Sequence, residues 1–228
     1  MDSSTQMTYN VDFAFCIDCT GSMGKLLEIV KTNALNFYHD VARRMEQKHK
    51  HIDQMRIRII AFRDYIADGE DAMLCTDFFS LPDEADQFSA CVKSLNPKGG
   101  GDIPEDGLEA LAYAIRSDWV KSGIKRRHII VIWTDAPTHP LGYGKGAQEY
   151  PKGMASDIGE LTAWWGDDQN NGYIDSRSKR LLLFAPDQPH WSYISENWDN
   201  VLHFPSRAGE GLREVDYSTI LDVISNSI

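Results

Sequence analysis

Residues 128–134 (HIIVIWT) and 180–185 (RLLLFA) are almost continuously apolar. A strand with one face in water alternates polar and apolar residues; a strand buried on both faces does not. Both runs are short and β-branched or aromatic in part, so they read as central strands of a parallel sheet covered by helices on both sides. Residues 11–17 (VDFAFCI), 55–62 (MRIRIIAF) and 201–204 (VLHF) read as three further strands. Residues 74–79 follow the second strand so closely that they predict an antiparallel edge hairpin.

Helical periodicity fills the gaps. After Lys25, the residues Leu26, Val30, Ala34, Phe37, Val41 and Met45 make one apolar stripe. Leu81-Pro82-Asp83 opens a second helix with Phe88, Val92 and Leu95 inward, proline being suited to a first turn. A third spans 105–120, with Leu108, Leu111, Ala112 and Ile115 inward and Gly123 as its stop. Shorter helices are expected over 157–165, 188–198 and 216–228. Strands and helices that alternate in this way predict an α/β fold with a doubly wound, mostly parallel sheet. The 228 residues suit one domain, 1–228, with a polar extension at 1–10. Residues 136–156, rich in glycine and proline, form the one long loop.

The formal net charge is −11, which argues against nucleic-acid partners and anionic membranes. No apolar run is long enough to cross a bilayer, and MDSSTQMTYN lacks the features of a secretory signal. Four cysteines are too few for a disulfide scaffold. A cytoplasmic protein with reduced thiols is the expectation.

One short stretch, FCIDCTGSMGK (residues 15–25), suggests three different sites. Cys16 and Cys19 form a C-x-x-C, but Cys16 falls inside a strand, and Cys75 and Cys91 supply no second metal-binding pair. Gly24-Lys25 suggests a phosphate loop, but Cys19 stands where its first glycine belongs and Leu26 where its metal-binding hydroxyl belongs. Asp18, Thr20 and Ser22 place one carboxylate and two hydroxyls just past the carboxyl end of the first strand, where open α/β sheets collect ligands. Hard cations such as Mg²⁺ want oxygen ligands. Taken alone, the three residues are equally good helix caps.

Two distant segments bear on that choice. KGGGDIPEDGLEAL (98–111) carries Asp102 after three glycines, and VIWTDAPTHP (131–140) carries Asp135 just past a central strand. Three loops at one sheet edge then supply carboxylates and hydroxyls to one place.

On these residues the chain resembles the von Willebrand factor A (vWA) domain family with its metal-ion-dependent adhesion site. Asp18-Cys19-Thr20-Gly21-Ser22 reads as the family's D-x-[ST]-x-S, and Thr134-Asp135-Ala136 resembles its third loop. Gly100-Gly101-Asp102-Ile103-Pro104-Glu105 is similar to a G-G-D-x-P-E variant found in intracellular members, with Asp102 in the place of the usual threonine. The resemblance implies a Rossmann-like, six-stranded sheet of order 3-2-1-4-5-6 with one antiparallel edge strand. It implies a Mg²⁺ or Mn²⁺ ion held by Asp18, Thr20, Ser22, Asp102 and Asp135. It also implies a protein partner whose acidic side chain completes the coordination.

The leading expectation is therefore a metal-dependent protein-interaction module and not an enzyme. One alternative is a Mg²⁺-assisted phosphate-ester hydrolase with His139 as acid or base. Another is a scaffold with a structural cation. Trp164-Trp165 reads as core for at least one ring, and DDQNNGYID (167–175) as a surface loop, because it lacks calcium-loop spacing.

Overall fold

The computed structural model of the chain describes residues 7–99, 104–167, 169–213 and 215–228. Strands and helices alternate as β1 (Met7–Asp18), α1 (Gly24–Asn33), α2 (Phe37–Gln47), β2 (Lys50–Phe62), α3 (Tyr65–Asp68), β3 (Met73–Cys75) and β4 (Phe79–Leu81). They continue as α4 (Ala85–Ser94), α5 (Gly107–Ile115), β5 (Arg126–Trp133), α6 (Ile158–Trp165), β6 (Lys179–Pro186), α7 (Trp191–Asn197), β7 (Val201–Ser206) and α8 (Tyr217–Ser227). The sheet runs β3-β2-β1-β5-β6-β7, and β4 also pairs with β2. All pairings from β2 to β7 are parallel, and β3 and β4 lie antiparallel to β2.

The order is the one expected, with one strand more. The anticipated edge hairpin over 74–79 is instead two short strands, each paired to a different part of β2: Met73 to Phe62 and Leu81 to Met55. Leu81 is thus a strand residue, and the next helix begins at Ala85. The expected polar extension is shorter too, because β1 already starts at Met7.

Alternation along β1 sorts side chains to two cores. Phe13, Phe15 and Ile17 face one core with Leu26, Phe37, Val41 and Phe88. Ala14 and Cys16 face the other, with Ile60, Leu108, Leu111 and Trp191. Burial of each large side chain is worth about 1.5–3 kcal/mol. The small residues matter as well, since Ala110, Ala112 and Ala114 let α5 lie close against the sheet.

Two helices end earlier than their periodicity suggests. The stripe from Leu26 to Met45 is interrupted by a 3₁₀ turn at Ala34–Asn36, where Asn33 Nδ2 donates to Ile29 O and competes with the next helical turn. α5 stops at Ile115 because side chains take its last carbonyls: Ser117 Oγ donates to Tyr113 O and Trp119 Nε1 to Ile115 O.

Register sets up the functional edge. Asp18 pairs with Phe62 and Ile17 with Trp133, so β1, β2 and β5 leave the sheet at the same level. The loops that begin at Cys19, Arg63 and Thr134 therefore meet. Among the described residues no helix is long and apolar enough to cross a membrane.

Candidate metal centre

Asp18 is fully buried at the end of β1. Its Oδ1 accepts from Thr20 N at 2.9 Å and Thr20 Oγ1 at 2.6 Å, and its Oδ2 accepts from Thr134 Oγ1 at 2.7 Å. All three donors are neutral. Burial pushes the Asp18 carboxyl up to about 6; the hydrogen bonds oppose the shift and the nearby Asp135 charge adds to it.

Asp135 is also buried, at 1% exposure. Its Oδ1 accepts from Ser22 Oγ at 2.8 Å and its Oδ2 from Gly211 N at 2.7 Å. Gly211 belongs to a loop after β7 that sequence reasoning did not connect with the site. A Cβ at Gly211 would lie 2.2 Å from Ser22 O, and its φ is +66°, so glycine is required for this close approach. Gly209 N further donates to Asp135 O.

The structure thus brings Asp18, Thr20, Ser22 and Asp135 together. Asp102, the remaining expected ligand, lies outside the described residues. Just beyond it stands Glu105, 3% exposed, whose Oε2 is buried without a hydrogen-bond partner among the described residues. Burial pushes its carboxyl up to about 9, with Asp18, Asp64, Asp68 and Asp106 adding repulsion. Glu105 belongs to the second motif, where the pattern of expected ligands does not include it. Its signal was there: an acid directly after Asp-Ile-Pro, at the start of a helix whose inward face is apolar.

Arg63, also missed, ties the loops. It is 7% exposed and donates to four backbone carbonyls: Cys19 O, Lys98 O, Asp71 O and Asn96 O. Lys98 N adds a bond to Cys19 O. One guanidinium thereby fixes the first loop to the segment leading into the second. Nothing in the sequence around Arg63 announces this.

Does this donor set suit a hard cation? Thr20 and Ser22 spend their hydroxyl protons on Asp18 and Asp135, which leaves their oxygen lone pairs for another partner. The Asp18 and Asp135 carboxylates accept from them, and the buried Glu105 carboxyl is near enough to Asp18 for their charges to repel. Oxygen donors of this kind fit Mg²⁺ or Mn²⁺. Among the described residues no three His, Cys, Asp or Glu side chains stand close enough to hold a metal by themselves. A cation here would need the hydroxyls and water.

The competing readings of the opening stretch meet physical obstacles. Cys16 and Cys19 are both fully buried free thiols, and burial drives Cys16 far up and Cys19 up to about 12. Neither is a thiolate near neutral pH. His139 is 4% exposed, its Nε2 lies 2.9 Å from Asp64 Oδ2, and its ring stacks on Tyr143 at 3.8 Å. Of the two adjacent tryptophans, Trp165 is core, stacked on Trp198, and Trp164 is partly exposed against Tyr173.

Residues 12–140, more than half of the chain, match the sequence profile of the von Willebrand factor A domain. The chain belongs to the vWA family. It is 26% identical over 149 residues to the alpha-protein kinase vwkA of Dictyostelium discoideum; the match covers 65% of this chain and 22% of that protein. The chain thus spans about a fifth of that relative. In fold it is similar to the pilus adhesin SpaC of Lactobacillus rhamnosus GG in an open conformation. That comparison has a TM-score of 0.52 and 16% identity, and it covers 95% of this chain and 30% of SpaC. A second SpaC crystal form aligns with a TM-score of 0.49 and 13% identity over the same shares.

Proposed function

We propose that this vWA domain is a divalent-cation-dependent protein-interaction module. vWA domains are commonly protein-interaction modules. The observation that carries the metal dependence is the buried Asp18–Asp135 pair, served by hydroxyl and backbone N–H donors with no cationic side chain on either carboxylate among the described residues. Two buried carboxylates that close repel each other, and a cation between them removes the penalty.

Asp18, Thr20, Ser22 and Asp135 would hold Mg²⁺ or Mn²⁺, with Glu105 or Asp102 from the second loop. Ser22 is the solvent-exposed member. A partner carboxylate approaching from that side would complete the ion's oxygen shell. The cation supplies an anchor for a carboxylate that an apolar surface could not desolvate. The protein's own part is to preset the oxygens: Thr134 orients Asp18, Gly211 orients Asp135, and Arg63 holds the loops in place.

Binding is favoured over phosphate-ester hydrolysis because His139, the residue the hydrolase reading depends on, is buried against Asp64. The kinase activity in the name of vwkA is not carried over to a chain that spans so little of it. The test is Mn²⁺ titration by calorimetry, followed by partner capture in Mg²⁺ and in EDTA. Asp135→Ala should lose both Mn²⁺ binding and capture. Capture that persists in EDTA would sink the metal dependence.

A further inference from the structure

Away from the metal centre, beside the C-terminal end of α5, lies a pocket of about 310 Å³. Arg58, Tyr113, Arg116, Lys152, Met154 and Trp164 are among its walls, and its charged lining residues are all cations. In a chain of net charge −11, three positive side chains around one pocket stand out. None of the three makes an ion pair among the described residues. Arg58 Nη1 donates to Ser117 Oγ at 2.9 Å, but its Nε is buried without a hydrogen-bond partner. Arg116 is held in position: Nη1 donates to Gly153 O at 2.8 Å, and its guanidinium lies 5.1 Å from the Trp164 ring centre.

A helix C-terminus would ordinarily repel an anion. Here the last carbonyls of α5 are already engaged. Ala112 O accepts from Arg116 N, Tyr113 O from Ser117 Oγ, Ala114 O from Ser117 N, and Ile115 O from Trp119 Nε1. The pocket therefore presents guanidinium and ammonium groups beside an apolar wall of Ala112, Met154 and Trp164.

We propose that this pocket binds a small phosphate ester with a planar apolar body. The phosphate matches the cations, since arginine pairs with phosphate through charge-assisted hydrogen bonds. The body lies against the indole and Met154. Pockets of this size hold small ligands. The site is independent of the metal centre: Arg58 sits four residues before Phe62 on β2, which is roughly 13 Å along the strand from the level of Asp18.

The full chain would be titrated in EDTA with phenyl phosphate, inorganic phosphate and benzyl alcohol, by calorimetry and ligand-detected NMR. The expected result is phenyl phosphate binding at least about tenfold tighter than either fragment, and weakened about tenfold in Arg116→Gln and in Lys152→Gln. Both are surface side chains, so the fold should survive; Mn²⁺ affinity, measured in parallel, should stay at the wild-type value. Three outcomes overturn the proposal: no binding of phenyl phosphate at millimolar concentration, binding no better than inorganic phosphate, or binding untouched by both substitutions. None of them bears on the metal centre.

Discussion

Two aspartates on β1 are fully buried, six residues apart, and meet opposite fates. Asp12, at the middle of β1, accepts from Arg56 Nε at 2.9 Å, Arg56 Nη2 at 2.6 Å and Val120 N at 2.7 Å. Its charge is neutralised within the chain. Asp18, at the carboxyl end of β1, receives hydrogen bonds from neutral groups alone among the described residues, and burial raises its carboxyl to about 6. One strand therefore carries a completed ion pair at its middle and an acid with no cationic partner among the described residues at its carboxyl end. A structural aspartate needs the first arrangement. The second is costly to a protein that meets no cation, which makes it a functional signature.

The largest expected effect breaks the completed pair. Asp12→Ala leaves Arg56 without its carboxylate and Val120 N without an acceptor. Removal of one partner of a buried pair costs about 3–5 kcal/mol. Urea unfolding should show that loss equally in EDTA and in Mg²⁺. A Mg²⁺-dependent loss would mean that Asp12 and Asp18 are coupled along β1 and the contrast is wrong.

The next alters the carboxyl end, with the opposite sign. Asp18→Asn keeps the shape and most hydrogen bonds but removes a charge that burial disfavours. In EDTA at pH 8 the variant should be more stable than wild type, by on the order of 1–3 kcal/mol. Mg²⁺ at 100 times its Kd should stabilise wild type by about 2.7 kcal/mol and the variant by almost nothing. Equal stabilisation of both by Mg²⁺ would remove Asp18 from the site.

These two aspartates also show how far the sequence alone could be read. Asp18 stands out as an acid just past an apolar strand, whereas Asp12 lies within that strand. The proposed cation site was suggested at Asp18 because D-x-T-x-S puts three oxygen donors on alternate residues, a local pattern. It was suggested at Asp135 because an acid follows a continuous apolar strand. The Arg56–Asp12 pair was not, because it depends on register across β1 and β2. Arg63 and Gly211 escaped for the same reason: Arg63 bonds backbone carbonyls of other loops, and Gly211 N bonds the Asp135 carboxylate, 76 residues away in sequence. The main strands were plain from apolar runs, and their order followed from the family resemblance. The split of the edge into β3 and β4 was not, since three-residue strands carry no periodicity.

A third test uses pH. Asp18 and Glu105 both have carboxyls raised above the ordinary range, to about 6 and about 9. A raised carboxyl means that the folded state holds its proton more tightly than the unfolded state. The metal-free fold should then lose stability as pH climbs from about 4 to about 9. Mg²⁺ stands in for the protons and should flatten that fall. Glu105→Gln should remove the part of the slope between pH 6 and 9 in EDTA. Thermal melts across pH would check this, and an unchanged slope in the variant would place the titration elsewhere.

The smallest effect is expected next door to Asp18. The Cys19 side chain is fully buried in the apolar cluster with Met23 and Leu26. What the site uses of Cys19 is its main chain: N donates to Phe62 O, and O accepts from Lys98 N and Arg63 Nε. Cys19→Ala preserves all three bonds and deletes one sulfur from the core. Stability should fall by about 1 kcal/mol, in EDTA and in Mg²⁺ alike. Mn²⁺ affinity should match wild type, and iodoacetamide should leave Cys19 of the native protein unmodified, because burial holds its thiol up to about 12. If Mn²⁺ binding fell more than about tenfold in a folded Cys19→Ala protein, the thiol would belong to the site, and the division of labour between backbone and side chain at this residue would have to be redrawn.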